Sequence, residues 1–322
     1  MRPLYFISLA LILLAGVLFF VLRNNDPFGK ENSKFNIDWT DKVDRVSIRE
    51  DGKELVLNRT IDGWKVNDKL EARESAISFI LKTLANLEIK SPVTEESFDA
   101  LVGKQNIKAT EVRIFGEGSL EFSFLIYKDQ QQGTNSILKR KEATKPYYVD
   151  IPGYNTDPGS HFVCDERFWV PYNIFKLHPQ SIASINLDYK DPSMGDIEIE
   201  VNNGDLSLKL DNKPAPDADP ERIRRYISYF TFIPFESWDF NLDEEIKKKV
   251  LASDPEMIFL VKILGGQSIS VKLWIRQIMS DNMLAPDTDR LYGEINNGGE
   301  LFIVKYFDID PLIKSSEYFV KD

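Results

Sequence analysis

One cysteine (Cys164) and two histidines (His161 and His178) are all that 322 residues contain of those two types. A lone cysteine excludes an intramolecular disulfide framework. So few histidines leave little for imidazole catalysis or a histidine-based metal site. Positive charge is short as well. Forty Lys and Arg against 51 Asp and Glu give a net charge of −11, the wrong sign for a chain that meets nucleic-acid phosphates. No G-x-S-x-G, P-loop or G-x-G-x-x-G segment occurs, so neither a nucleophile elbow nor a phosphate cradle is on offer. Core material is plentiful. Apolar residues make up 43%, with 21 Phe, 12 Tyr and 5 Trp. That argues against a disordered chain, and the length suggests about two domains.

Residues 4–22 form an uncharged apolar run. As a helix they span about 29 Å at ~1.5 Å per residue, matching a hydrocarbon core of ~30 Å. Arg2 and the α-amine precede the run and Arg23 follows it, a weak bias toward an inside N-terminus. The run is longer than the ~7–15 apolar residues of a cleaved signal peptide. It ends in Phe19-Phe20-Val21-Leu22-Arg23 without an Ala-x-Ala site, and no cysteine follows for lipoprotein processing. Residues 1–23 are therefore expected as a transmembrane signal-anchor. Residues 24–34, polar with Pro27 and Gly29, are expected as a tether. The body is then extracytoplasmic. Its acidity is uneven: residues 35–150 hold 18 basic and 20 acidic residues, residues 151–322 hold 18 and 29. Such a surface is solvated, repels anionic headgroups, or attracts a basic partner.

The body reads as two copies of one unit. In the first, 43–48 alternates apolar and polar as a half-buried strand. Asp51-Gly52 is a hairpin signal, and 54–59 and 64–66 are further strands. Residues 71–87 carry Ala76, Phe79, Ile80, Thr83, Leu84 and Leu87 on one helical stripe. A shorter helix fits 95–104 with Thr94 as cap, and strands follow at 111–115 and 119–127. In the second, strands fall at 182–187, 196–201 and 206–210. A helix opens at Asp219-Pro220, a shorter one fits 242–252, and 257–264 and 268–275 close the series. In that short helix Asp243-Glu244-Glu245 precede Lys247-Lys248-Lys249, the order the helix dipole favours. Gly116 aligns with Gly265. The expectation is an internal duplication: an α+β first unit over 35–160 and a second over 182–322, each a mainly antiparallel sheet with two helices. Residues 130–146 are a polar excursion with 147–151 pairing afterwards, and its counterpart is 290–296 followed by a strand at 300–306.

Between the units, 161–181 is an aromatic connector. Phe168, Trp169, Tyr172 and Phe175 there are the candidate residues: they pack as a seam between the units, or they present a patch to a partner protein. A cleft lined by Trp169, Tyr172 and Tyr154 would suit a ligand. His161, Cys164, Asp165, Glu166 and His178 are the one metal-like grouping, but a single short His/Cys pair lacks zinc-site spacing, and His161 would not reliably face Cys164 as its base. Adjacent acids such as Asp165-Glu166 do not give the convergence of a glycosidase pair. No cofactor, metal or catalytic residue is expected, and a hydrolase with dispersed carboxylates is disfavoured.

These residues resemble an uncharacterised bacterial family, domain-of-unknown-function family 4340. The likeness lies in the apolar N-terminus, the V-x-x-[IV]-x-[IV] strand at 43–48, the Asp62-Gly63-Trp64 turn and the Leu84-Ala85-Asn86-Leu87 helix end. It extends to Phe168-Trp169, Ile174-Phe175, His178-Pro179 and Ile182. It covers residues 1–190 well and the rest loosely, and its motifs are packing motifs. The resemblance implies a membrane-anchored protein, and kinship with accessory parts of gliding-type ABC transporters. The expected function is a single-pass scaffold or interaction protein of the inner membrane, its body in the periplasm or cell exterior, with an envelope protein partner and no nucleic acid. The alternative is a module that binds an envelope glycan or peptide.

Overall fold

A computed structural model describes residues 34–128, 136–141, 143–202, 204–280 and 283–321. The expected anchor and residues 24–33 of the tether lie outside the described residues. Among the described residues no helix is long and apolar enough to cross a membrane. The chain divides into two units between Pro171 and Tyr172, a point inside the 161–181 stretch.

Unit 1 runs β1 (Val43–Glu50), β2 (Lys53–Thr60), β3 (Gly63–Val66), β4 (Leu70–Glu71), α1 (Glu74–Asn86), β5 (Glu88–Pro92), α2 (Glu95–Phe98), β6 (Thr110–Gly116), β7 (Ser119–Tyr127), β8 (Ile137–Arg140), β9 (Pro146–Asp150) and α3 (Glu166–Trp169). Its sheet has the order β4-β3-β2-β1-β6-β7-β8-β9-β5. The period-2 alternation of β1 turns Val46 and Ile48 inward, and register carries the apolar row across the sheet. Val66 pairs with Leu57, Leu57 with Val46, Val46 with Ile114 and Ile114 with Phe122. The β1–β2 turn places Asp51 at φ 49° and Gly52 at φ 78°, the doubly left-handed geometry of a tight hairpin. Helix α1 lays Ala76, Ile77, Ile80, Thr83 and Leu84 on this core. Phe79, placed on the buried stripe by its spacing, stays partly exposed and packs tilted against the His161 ring instead (centroids 4.3 Å, interplanar angle 50°). Ile77 takes the core position. Thr94 caps α2 by accepting from the Ser97 amide at 3.2 Å, and a π turn (Asp99–Gly103) continues it. Val93, Val102 and Ile137 form a small cluster there with Phe98 and Leu101.

Unit 2 runs β10 (Asn173–Phe175), β11 (Ile182–Tyr189), β12 (Ile197–Asn202), β13 (Asp205–Leu210), β14 (Lys213–Pro214), α4 (Pro220–Tyr229), β15 (Ile233–Pro234), β16 (Ser237–Trp238), α5 (Glu244–Ala252), β17 (Met257–Ile263), β18 (Ser268–Ser280), β19 (Met283–Ile295), β20 (Phe302–Lys305) and α6 (Tyr306–Ile309). Its large sheet has the order β14-β13-β12-β11-β17-β18-β19-β20-β16, and β10 pairs with β15 apart from it. Asp219 caps α4 and Asp243 caps α5, each accepting from two backbone amides. Helix α4 buries Ile223, Tyr226 and Ile227. Trp274, Tyr292 and Leu301 cluster with Leu242, Val250 and Leu251 around α5.

Both large sheets are antiparallel and share one topology, strand for strand. Even the bulge repeats: pairing slips between Val43 and Arg45 in β1 against β6, and between Ile182 and Ser184 in β11 against β17. The Gly116–Gly265 alignment needs one correction. Val46 faces Ile114 and Ile185 faces Val261, so Gly116 corresponds to Ile263. The hairpin turn is two residues in unit 1 (117–118) and four in unit 2 (264–267); the longer turn moves the glycines beyond the strand.

Candidate functional site

The aromatic stretch is shared out between two cores. Trp169 is 0% exposed in unit 1, and its indole Nε1 donates to the Val163 carbonyl at 2.8 Å. Phe168 is half-buried against the same core, with the Arg73 guanidinium 5.4 Å from its ring. Arg73 also donates to both local carbonyls, its backbone amide to Trp169 (2.6 Å) and its Nη2 to Phe168 (2.8 Å). The segment therefore clips the start of α1. Phe175 is buried in unit 2 edge-on to Phe230, and Tyr172 stacks on Phe235 at 5.1 Å. Trp169 offers no open surface to a ligand, while Tyr154 is exposed.

The metal-like grouping does not converge. His161 is buried: its Nδ1 is hydrogen-bonded to Thr83 Oγ1 at 2.8 Å, and burial lowers its pKa against a smaller opposing pull from Asp157. Cys164 Sγ donates to the Ile48 carbonyl, and burial together with the Glu50 carboxylate pushes its thiol up, away from a reactive thiolate. Asp165 caps α3 and binds Arg167. His178 caps the turn Pro179–Ser181 in unit 2. Among the described residues no group of three or more His, Cys, Asp and Glu is placed to hold a metal ion.

Unit 1 also carries a polar cleft of about 540 Å³ lined by Glu50, Asp51, Gln105, Asn106, Ile107, Lys108 and Lys128. Its charges are paired within the unit. Lys108 meets Asp51 at 2.7 Å, and Lys128 Nζ donates to Glu50 (3.4 Å) and to the Phe162 carbonyl (3.1 Å).

Unit 2 carries two features that residue patterning alone does not reveal. The first is an arm. Strand β17 stops pairing with β18 at Leu273, and β20 pairs with β19 only from Arg290 to Gly293. Beyond those points β18 and β19 pair only with each other: Gln277 with Pro286, Ile278 with Ala285, Met279 with Leu284, Ser280 with Met283. Four such pairs make a ribbon roughly 13 Å long. Met279, Met283 and Leu284 are 67%, 70% and 72% exposed. Alternation puts Met279 and Leu284 on one face and Ile278, Ala285 and Met283 on the other, so the arm is apolar on both. Its base is a bulge in which Asp287 accepts from the Asp289 and Arg290 amides and from Arg276 Nη1 at 2.6 Å, and bulges of this kind re-aim a strand. The strand assignment from sequence stops at Ile275 and resumes only at 300–306; the 290–296 segment, expected as the counterpart of the 130–146 polar excursion, is mostly the paired end of β19, just as 137–140 within that excursion is β8. Pro286 within β19 marks the edge character of the missed segment.

The second feature is a groove of about 750 Å³ lined by Tyr229, Phe232, Ile233, Pro234, Tyr306, Phe307, Asp308, Asp310 and Pro311. Its two walls come from the chain after α4 and from α6 with the turn behind it. Buried Phe230, Ile233, Ile309 and Leu312 anchor these walls to the core. Phe232 and Phe307 stand 57% and 85% exposed. No family model, curated protein sequence or solved structure matches the chain.

Proposed function

We propose that this chain is a membrane-anchored scaffold or interaction protein of the cell envelope, accessory to a membrane complex such as a transporter, with its body in the periplasm or cell exterior. The apolar run at 4–22, the acidic second half and the resemblance to domain-of-unknown-function family 4340 support it. The observation that carries it is the arm of unit 2. In unit 1, β7 ends one residue past its last pair with β6, whereas β18 runs seven residues past its last pair with β17. A nine-stranded sheet with its covering helices suffices for each core, so the extra ribbon serves something outside the fold. Apolar side chains held in water on both faces of a ribbon mark a contact site. The repeated strand order and the repeated bulge support internal duplication as the origin of the two units.

A photoreactive residue at position 283 of the full chain in native membranes tests this. A near-stoichiometric crosslinked partner is expected, and it disappears when 277–286 is replaced by a two-residue turn. Failure to recover any partner favours the second reading, a module for a polar envelope ligand such as a glycan or peptide. The polar cleft at Glu50, Asp51, Gln105 and Lys128 supports that reading.

A further inference from the structure

Phe232 and Phe307 lie 75 positions apart in the sequence and face the same groove in unit 2. Neither side chain is needed to fill the core, which is closed beneath them by Phe230, Ile233 and Ile309. Two aromatic rings held in solvent over a preformed groove are the anatomy of an anchor site. The rim is acidic. Asp308 and Asp310 have no ion-pair partner among the described residues, and Lys314 Nζ is turned to the Asp310 backbone carbonyl at 3.0 Å. The whole of unit 2, residues 172–322, holds 17 basic against 26 acidic residues, hence a net charge of −9.

That charge selects the occupant. A second copy would bring −9 against −9 and set the rim carboxylates against an acidic surface. An anionic bilayer would meet the same repulsion. A cationic segment meets attraction on the rim, and its apolar side chains meet the rings. An arginine gains further from the faces of Phe232 and Phe307. We propose that this groove docks a short amphipathic segment of a partner protein, with apolar anchors on one side and Lys or Arg flanking them, as in helix-in-groove recognition. The residues involved are separate from those of the arm, so this site stands or falls independently.

The test uses the full chain in nanodiscs of zwitterionic lipid. The probe is a fluorescent amphipathic peptide with Leu at i, i+3, i+4 and i+7, made with either Lys or Glu on the other face. The Lys peptide is expected to bind and the Glu peptide to bind about tenfold more weakly. Asp308→Asn with Asp310→Asn should weaken the Lys peptide about fivefold. Phe232→Ala with Phe307→Ala should weaken it about tenfold or more, with the melting temperature unchanged because both side chains are exposed. A chain with 277–286 replaced by a turn should bind the Lys peptide as the intact chain does. Equal binding of both peptides, or binding indifferent to the phenylalanine pair, overturns the proposal. So does anionic-vesicle binding or self-association that Phe307→Ala abolishes.

Discussion

The Arg276 guanidinium and the Asp287 carboxylate meet at 2.6 Å across the base of the unit 2 arm, with Asp287 side-chain exposure of only 6%. Asp287 also holds the bulge through the Asp289 and Arg290 amides, and Arg276 lies 5.6 Å from the Tyr292 ring. Asp287→Ala removes three acceptor contacts and leaves a half-desolvated guanidinium, a loss of about 2–3 kcal/mol. Hydrogen exchange should accelerate over 276–289 and stay slow in β11 and β12. Uniform exchange across unit 2 would show that the arm has no separate hinge. Burial alone would raise the Asp287 carboxyl, but the amides and Arg276 hold it below the usual range. Its contribution is therefore complete above about pH 4 and is lost as pH falls through the lowered folded value.

His161 acts in the same direction, at higher pH. It sits under Phe79 with Thr83 on Nδ1, and burial lowers its pKa. The unfolded chain takes up the proton near pH 6.5 and the folded chain resists it to lower pH. Stability from this residue is thus complete above about pH 6.5 and declines as pH falls below it. The melting temperature should drop between pH 7.5 and pH 5.5 (about one unit either side of the free imidazole value), and His161→Gln should flatten that segment of the curve. An unchanged slope in the variant would assign the pH dependence elsewhere.

Trp169 has no surface and a buried indole hydrogen bond. Trp169→Ala should cost about 3–5 kcal/mol of stability, with protection lost first in α1, whose start is tied to the Trp169 carbonyl through Arg73. Full stability with loss of partner capture would make it an interface residue instead. Phe175→Ala should destabilise unit 2 similarly, through its contact with Phe230.

Much of the fold was legible because alternation and turn chemistry agree locally. The 43–48 strand, the Asp51-Gly52 hairpin and the Asp219 cap all stand where the residues put them. Edge strands β5 and β16 were not. Glu88–Pro92 is polar and mostly exposed, so nothing in its pattern asks for a sheet, and only the return of β9 supplies one. The arm was missed because its apolar residues fall on both faces, which cancels the period-2 signal. The aromatic stretch was visible as unusual, yet no local property could tell that Trp169 and Phe175 enter different cores. Nothing local to Phe232 and Phe307 separates them from core aromatics, and only tertiary placement leaves them in water.

Gly293 in β19 stands opposite Phe302 in β20. A Cβ there would run into the Phe302 ring, meeting Cζ and Cε2 first. Phe302 is fully buried, wedged against Phe235 at 4.8 Å and Trp238 at 6.0 Å, so the ring has no free side to move to. The glycine is therefore a packing requirement, since its backbone is not among the positive-φ positions. Gly293→Ala should cost about 1–3 kcal/mol by overpacking. Phe302→Leu alone should also destabilise, by opening space beside Phe235 and Trp238. Combined, the two should cost less than their sum, because the smaller side chain makes room for the added methyl, and the shortfall in a double-mutant cycle measures that contact. Strict additivity of the two losses would mean that the strands spread apart at Gly293 instead of the ring giving way.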